Sequence, residues 1–272
     1  MGKPIKVTVL VNEDKQVLHR AREYKIHPLR EATIIFLISF ALISGNTLFI
    51  YDNALESKKN EVANGLIRSA KIIAASVDAE LHQSIQTRGQ EDTPQYEEAV
   101  LPLRRALAAN KDTFAYVYTM VLKDDTPHFV LDALPNDSDE KSHVMDPYET
   151  KEESLIAALT TGTAQAMREP KDDPPWGVLI SAYAPIYDKT GQAIGIVGID
   201  MKDETYYERF YPIKRATIRT IVTGFFISFL MGSFAWFARN FILVVNEKRL
   251  RLMEEAASKQ GTHLETRELP HG

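Results

Sequence analysis

Cysteine is absent from all 272 residues, which removes disulfide frameworks, thiolate nucleophiles and cysteine-based zinc sites while leaving an oxidising compartment tolerable. Also missing are HExxH, GxSxG and a phosphate-binding glycine loop, so neither an enzyme nor a cofactor is expected. Ser181, His128 and Asp132 become a hydrolase triad only if the fold brings them together. No basic stripe interleaved with aromatics occurs, so no nucleic-acid partner is expected. The net charge of −5 is too mild to select a partner by itself. Asp137, Asp139, Glu140 and Asp146 with His143 are hard ligands, but their spacing fits no calcium loop, so they read as a solvated acidic segment and no metal is expected.

What the chain does have is two long uncharged runs, Ala32 to Tyr51 and Thr220 to Ala238. Each matches the roughly 20 apolar residues that a helix needs to cross a bilayer. Buried core helices are the alternative reading, and a cleaved signal peptide is the alternative for the first run. Some thirty residues precede that run and no small-residue cleavage site follows it, which favours an uncleaved anchor. Lys15, Arg20, Arg22, Lys25 and Arg30 lie before the first run; Arg239, Lys248, Arg249 and Arg251 lie after the second. By the positive-inside rule both termini are cytoplasmic. The expected division is an arm (residues 1–31), a first membrane helix (32–51), an extracytoplasmic domain (52–215), a second membrane helix (216–239), and a helix with a polar tail (240–272). In the arm, KVTVLV reads as an edge strand or as no element at all.

Within 52–215, Leu55, Val62, Leu66, Ile73, Val77 and Leu81 recur at helical spacing, predicting one long helix to about Ile85. Its apolar face packs on the core or pairs with a second copy of the chain. A second helix starts at Pro94, and Pro102 inside it is expected to kink or divide it. Phe114–Leu122 and His128–Leu134 read as a hairpin joined by Lys123 to Pro127. A polar loop (Pro135–Glu149), a short helix from Glu152 to Leu159 that ends at Gly162, and a loop holding Lys171–Pro175 follow. Last comes Trp176–Met201, two apolar runs flanking Asp188-Lys189-Thr190-Gly191, whose glycine permits the positive φ of a tight turn.

The order of a long helix, the YVYTM strand, the DPYE segment and the closing SAYAPIYDKTGQAIGIVGIDM hairpin resembles the Cache family, extracytoplasmic PAS-like sensor domains of bacterial transmembrane receptors. The resemblance covers roughly Asp52 to Tyr207 and implies an α+β fold: a single PAS-like domain, its central antiparallel sheet backed by the long N-terminal helix, set between two transmembrane helices. It implies a location in the bacterial inner membrane and a small-molecule pocket walled by loops. Amino-acid-binding members carry an Arg and a Trp just before the loop Tyr. Asp146 and Pro147 precede Tyr148 here, so no carboxylate clamp is carried over. Asp200 matches the position that holds a ligand's amine in those members, which points to an amine or amino-acid-like ligand.

Strand alternation puts Tyr116 with Tyr118, Ser181 with Tyr183, and Gly198 with Asp200. The candidate ligand-binding residues are therefore Tyr116, Tyr118, Asp132, Tyr148, Trp176, Ser181, Tyr183 and Asp200. For each a plainer role stands beside it: turn formation for Asp132, capping for Asp200, ordinary strand packing for the tyrosines, and a plug for Trp176. The expected function is a two-span, homodimeric sensor passing a conformational change through the second membrane helix to a cytoplasmic output. The segment after Arg251 is too short for an output domain of at least about 50 residues, so the output is expected from a partner or from a longer receptor. Leu250, Met253 and Ala257 offer a seam for that partner. The rival reading is an envelope scaffold that binds no small molecule.

Overall fold

The computed structural model describes residues 27–149 and 152–265. KVTVLV, the basic residues before His27 and the tail after Glu265 lie outside the described residues. The chain forms two compact units, Ile50–Ala216 and a helical unit made of the described residues up to Phe49 and from Thr217 onward.

In the helical unit, helix α1 (Pro28–Ala74) contributes its first half, and the last helix, Tyr211–Glu265, contributes most of its length. Both are long and apolar enough to cross a membrane, yet only 6% and 17% of their most apolar windows are buried within the protein. Core helices of a globular unit are mostly buried, and these windows are mostly exposed. The two helices meet closely at glycines: a Cβ on Gly224 would lie 2.5 Å from Ile43, and one on Gly232 would lie 3.1 Å from the Ala32 carbonyl and from Phe36. Small residues that let backbones approach are the usual solution where no hydrophobic drive separates helix from solvent. The Asn240 segment continues the same helix without a break. On it Met253 is exposed.

The sheet unit opens with the second half of α1. The expected helix to Ile85 is two: α1 ends at Ala74, and α2 (Ala79–Ser84) restarts after Asp78, whose carboxylate accepts the Leu81 amide (3.0 Å). Val62, Leu66, Ala70 and Ile73 are buried in one core cluster with Val117, Ile180, Ala182, Val197 and Ile199 of the sheet. The apolar face of the helix is thus spent on intrachain packing. Helix α3 (Pro94–Ala109) is one continuous helix rather than two. Pro102 removes only the donor to the Glu98 carbonyl, and Glu98 is exposed, so water can satisfy it.

Strands β1 (Tyr116–Lys123) and β2 (Thr126–Asp132) form the first hairpin; Asp124 and Asp125 both take positive φ, which makes a tight two-residue turn. After α4 (Glu153–Thr161), capped by left-handed Gly162, come β3 (Gln165–Ala166) and β4 (Lys171–Asp173). Both replace what reads as loop; they are short and polar and carry no alternation to detect. Strands β5 (Gly177–Tyr187) and β6 (Ala193–Lys202) complete an antiparallel sheet of order β2-β1-β6-β5-β3, with β4 also on β5. Gly191 takes a φ of +84° in the closing turn, and Asp188 Oδ1 accepts from the Thr190 and Gln192 amides. Helix α5 (Asp203–Glu208) then leads along the chain into α6 (Tyr211–Glu265).

One irregularity decides which β2 side chains face which way. Tyr118 pairs with Asp132 but Met120 pairs with Phe129, so β2 holds one extra residue against β1, a bulge. The Leu131 amide in that bulge donates to the Thr119 hydroxyl (2.9 Å), which also meets buried His82 Nε2 at 2.9 Å. Thr119→Val should therefore leave two buried polar groups unpaired and cost about 1–3 kcal/mol in denaturant unfolding of the full chain, while Thr119→Ser stays near wild type. Equal stability of the Val and Ser variants would show that the hydroxyl does not hold the bulge.

Candidate functional site

Register turns the three in-strand pairs into one surface. Asp200 lies opposite both Tyr116 and Ser181, and Gly198 lies opposite both Tyr118 and Tyr183, so all six residues share the sheet face turned away from α1. Gly198 is required there: a Cβ would sit 2.4 Å from the Tyr118 ring. Tyr118 thus lies over the glycine and its hydroxyl donates to Asp200 Oδ1 (3.2 Å). Because of the bulge, Phe129 and Asp132, three residues apart, reach the same face.

The loop after β2 closes over this face. Its Asp146–Tyr148 stretch runs along β2, with Phe129 and Tyr148 amides donating to the Asp146 and Pro127 carbonyls (3.1 and 2.8 Å). Tyr118, Phe129, Tyr148 and Trp176 then form a chain of ring contacts with centroids 5.3–6.0 Å apart. Glu140 closes the rim: its carboxylate accepts from the Tyr116 hydroxyl (3.0 Å) and its carbonyl from Trp176 Nε1 (2.9 Å). The result is an aromatic cage lined by Tyr116, Tyr118, Phe129, Asp132, Ser142, Tyr148, Asp173, Trp176 and Asp200, with about 10 Å³ of free space. That is room for one water at most.

Beside it lies a cleft of about 230 Å³ lined by Tyr148, Glu152, Met167, Lys171, Asp172, Asp173, Leu179, Ser181 and Tyr183. Tyr148 and Asp173 form the common wall, joined by a hydrogen bond from the Tyr148 hydroxyl (2.8 Å). Glu152 accepts from Lys171 (2.6 Å) at the edge of the cleft. The eight residues expected from the sequence are therefore in two adjoining spaces. Tyr116, Tyr118, Asp132, Trp176 and Asp200 line the cage, Ser181 and Tyr183 line the cleft, and Tyr148 lines both. The space between Tyr118, Tyr183 and Asp200 is packed with side chains, and the larger opening lies toward Glu152 and Lys171. Phe129, Glu140, Glu152, Lys171 and Asp173 complete the walls and do not stand out in the sequence. His128 lines neither space and places Nδ1 against the Thr126 carbonyl (2.9 Å), so no triad with Ser181 and Asp132 forms.

The acidic loop is not the wholly solvated segment its composition implies. Lys141, Ser142 and Val144 are buried. Glu91 accepts from Lys141 (3.2 Å), His143 (2.9 Å) and the Val144 amide (2.6 Å), and Lys141 lies over the Tyr96 ring. Asp132 accepts the Ser142 and Leu134 amides, both at 2.8 Å, and Asp146 accepts the His143 amide (3.0 Å). Asp132 thus serves the turn as well as the cage wall. Asp137 and Asp139 are exposed, and among the described residues no three acidic or histidine groups converge on a metal position.

Burial drives the ionisation of the site. Asp200 is pushed up to about 7 by loss of solvent, with Asp173 and Asp132 adding repulsion against the opposing pull of hydrogen bonds from Ser181 and Tyr118. Burial likewise raises Asp132 and Asp173 and holds the Tyr118 and Tyr183 hydroxyls well above their ordinary value. At Glu91 burial pushes up, but the bonds from His143, Val144 and Lys141 win and the carboxyl is lowered. Across the sheet, burial lowers His82 to about 4.

Asp200 and His82 give opposite pH slopes. Between the unfolded carboxyl value and about 7, folded Asp200 keeps a proton that the unfolded chain has lost, so its contribution is present at low pH and disappears as pH rises through 7. Between about 6.5 and about 4, the unfolded chain protonates His82 and the fold does not, so its contribution is present above 6.5 and disappears as pH falls. Relative to wild type, Asp200→Asn should gain stability as pH rises from about 4 to 7, and His82→Gln should lose it, each by on the order of 2–4 kcal/mol. Denaturant unfolding of the full chain across that range checks both; variant profiles parallel to wild type would refute the assignments.

No family model and no curated protein matches the chain. Among solved structures it is similar to the sensor domain of DcuS from E. coli, at 15% identity and a TM-score of 0.41, covering 57% of this chain and 98% of that one. It is also similar to the extracellular domain of the histidine kinase mmHK1S-Z2 (16%, TM-score 0.36, 60% and 62% covered). A third is the ligand-binding domain of the Campylobacter jejuni chemoreceptor Tlp3 in complex with L-valine (17%, TM-score 0.34, 66% and 62% covered). The chain spans about three-fifths of the length of these last two.

Proposed function

We propose that the chain is a transmembrane sensor whose sheet unit binds a small molecule carrying a positive charge. In this reading the two apolar helices cross a bacterial inner membrane, both termini are cytoplasmic, residues 52–215 are extracytoplasmic, and the protein works as a homodimer. Its role is binding rather than catalysis. The observation that carries the reading is the sheet face opposite α1: a loop-covered surface that ends in a cleft of about 230 Å³ and an aromatic cage. The ionisable groups lining them are acids and tyrosines, apart from Lys171, which Glu152 already binds. Aromatic rings around a carboxylate suit a cation by its charge and by its attraction to ring faces. No Arg lines either space, so a ligand's carboxylate would have only Lys171 to meet.

A ligand that binds one arrangement of cage and cleft better than another shifts the population toward it. The connection from β6 through α5 into α6 then carries the change toward a cytoplasmic output, supplied by a partner or by a longer receptor.

Thermal unfolding of the full chain in detergent micelles, screened against amines, amino acids and carboxylates, tests this. Amines should raise the melting temperature, carboxylates should not, and Asp200→Asn should weaken amine binding about tenfold or more, the scale of a charged hydrogen bond. Stabilisation by no compound would favour the scaffold reading; stabilisation by carboxylates alone would overturn the charge assignment.

A further inference from the structure

Accepting that the face under the acidic loop is the ligand site, we propose that an organic cation enters the cage by exchange for a proton on Asp200, gated by the Trp176–Glu140 hydrogen bond. The sensor would then read its ligand against pH.

The geometry leaves Asp200 few alternatives. It is 4% exposed. The groups around it are Tyr116 and Tyr118 from β1, Asp132 from β2, Asp173 from β4, Ser181 and Tyr183 from β5, and Tyr148 from the loop. Glu140 stands at the rim and Glu152 across the cleft. The nearby basic groups are engaged: Lys141 and His143 with Glu91, and Lys171 with Glu152. A carboxylate buried among acids must be neutralised, by a proton or by a cation. The free space of about 10 Å³ admits no organic cation, so entry requires the rim to part. The rim is held where Trp176 Nε1 meets the Glu140 carbonyl and the Tyr116 hydroxyl meets its carboxylate.

The exchange balances. The carboxyl O–H bond breaks, its proton goes to bulk buffer, and the incoming cation restores the charge of the site.

Tetramethylammonium is the probe, because it has no proton of its own to release. The full chain in detergent micelles is titrated calorimetrically in two anionic buffers of different ionisation enthalpy. Close to one proton per bound cation should appear at about pH 5.5 and almost none at about pH 8.5, with affinity rising nearly tenfold per pH unit below 7. Asp200→Asn should release no proton and lose the pH dependence. Trp176→Phe, which keeps the ring and loses the rim bond, should keep the proton count and bind faster. Binding without proton release at about pH 5.5, a proton count unchanged in Asp200→Asn, unaltered association in Trp176→Phe, or no binding of the probe would each overturn the exchange. In the last case, stabilisation of the chain by other compounds in the ligand screen would leave the sensor reading standing.

Discussion

A carboxylate placed on the central strand of a sheet face, with strands on both sides and a loop above it, has nowhere to find water. Asp200 is in that position because β6 is flanked by β1 and β5. Burial costs a lone charge several kcal/mol, so everything around Asp200 must either lower that cost or leave the group protonated. The neighbouring strands supply two hydroxyls, Tyr118 and Ser181, and no cation. The preference for positive charge proposed above rests on this shortage, which the aromatic rings keep water from relieving.

The cover over Asp200 depends on a second buried charge that is compensated. Glu91, just after a short 3₁₀ turn, receives three donors from the acidic loop, so a segment with many acidic residues is drawn onto the fold by one lysine and one histidine. Asp132 ties the entry to the loop through the Leu134 amide and its middle through the Ser142 amide, and β2 anchors the far end by backbone pairing. The stretch around Asp137 and Asp139 is left to solvent, as are Pro147 and Glu149. The two charges therefore divide the labour. Glu91 has a lysine partner and holds the loop; Asp200 has hydroxyl donors but no cation beside it and gives the enclosed space its chemistry.

Much of this architecture could be read in advance, and the reasons for the gaps are specific. Period-two alternation paired Tyr116 with Tyr118 and Ser181 with Tyr183, but alternation says nothing about how strands sit against each other. The register that placed all of them around Asp200 is a long-range property. Phe129 was missed because alternation sets it opposite Asp132, and only the bulge held by Thr119 reverses that. The strands at Gln165 and Lys171 were missed because they borrow their order from β5 and have no apolar pattern of their own. Lys141 was hidden for a compositional reason: a single cation among acids reads as solvated until its partner, fifty residues away in sequence, is known.

The sheet's two faces show how the proposed sensing and stability can coexist in one small unit. Ile180, Ala182 and Ala184 of β5 and Val197 and Ile199 of β6 pack with α1 and α3 in a cluster of almost entirely apolar contacts. That face holds the larger of the two buried apolar clusters and supplies most of the hydrophobic stabilisation. The alternate residues of the same strands carry Ser181, Tyr183, Gly198 and Asp200, whose interactions are hydrogen bonds and ring contacts worth on the order of 1 kcal/mol each. A rearrangement confined to the polar contacts of that face leaves the larger apolar cluster against α1 intact. The strand that holds Asp200 is also the strand that continues into α5 and α6. A change in the charge of one side chain is thus made on the element whose next turn leaves the sheet, with the opposite face of that element held rigid.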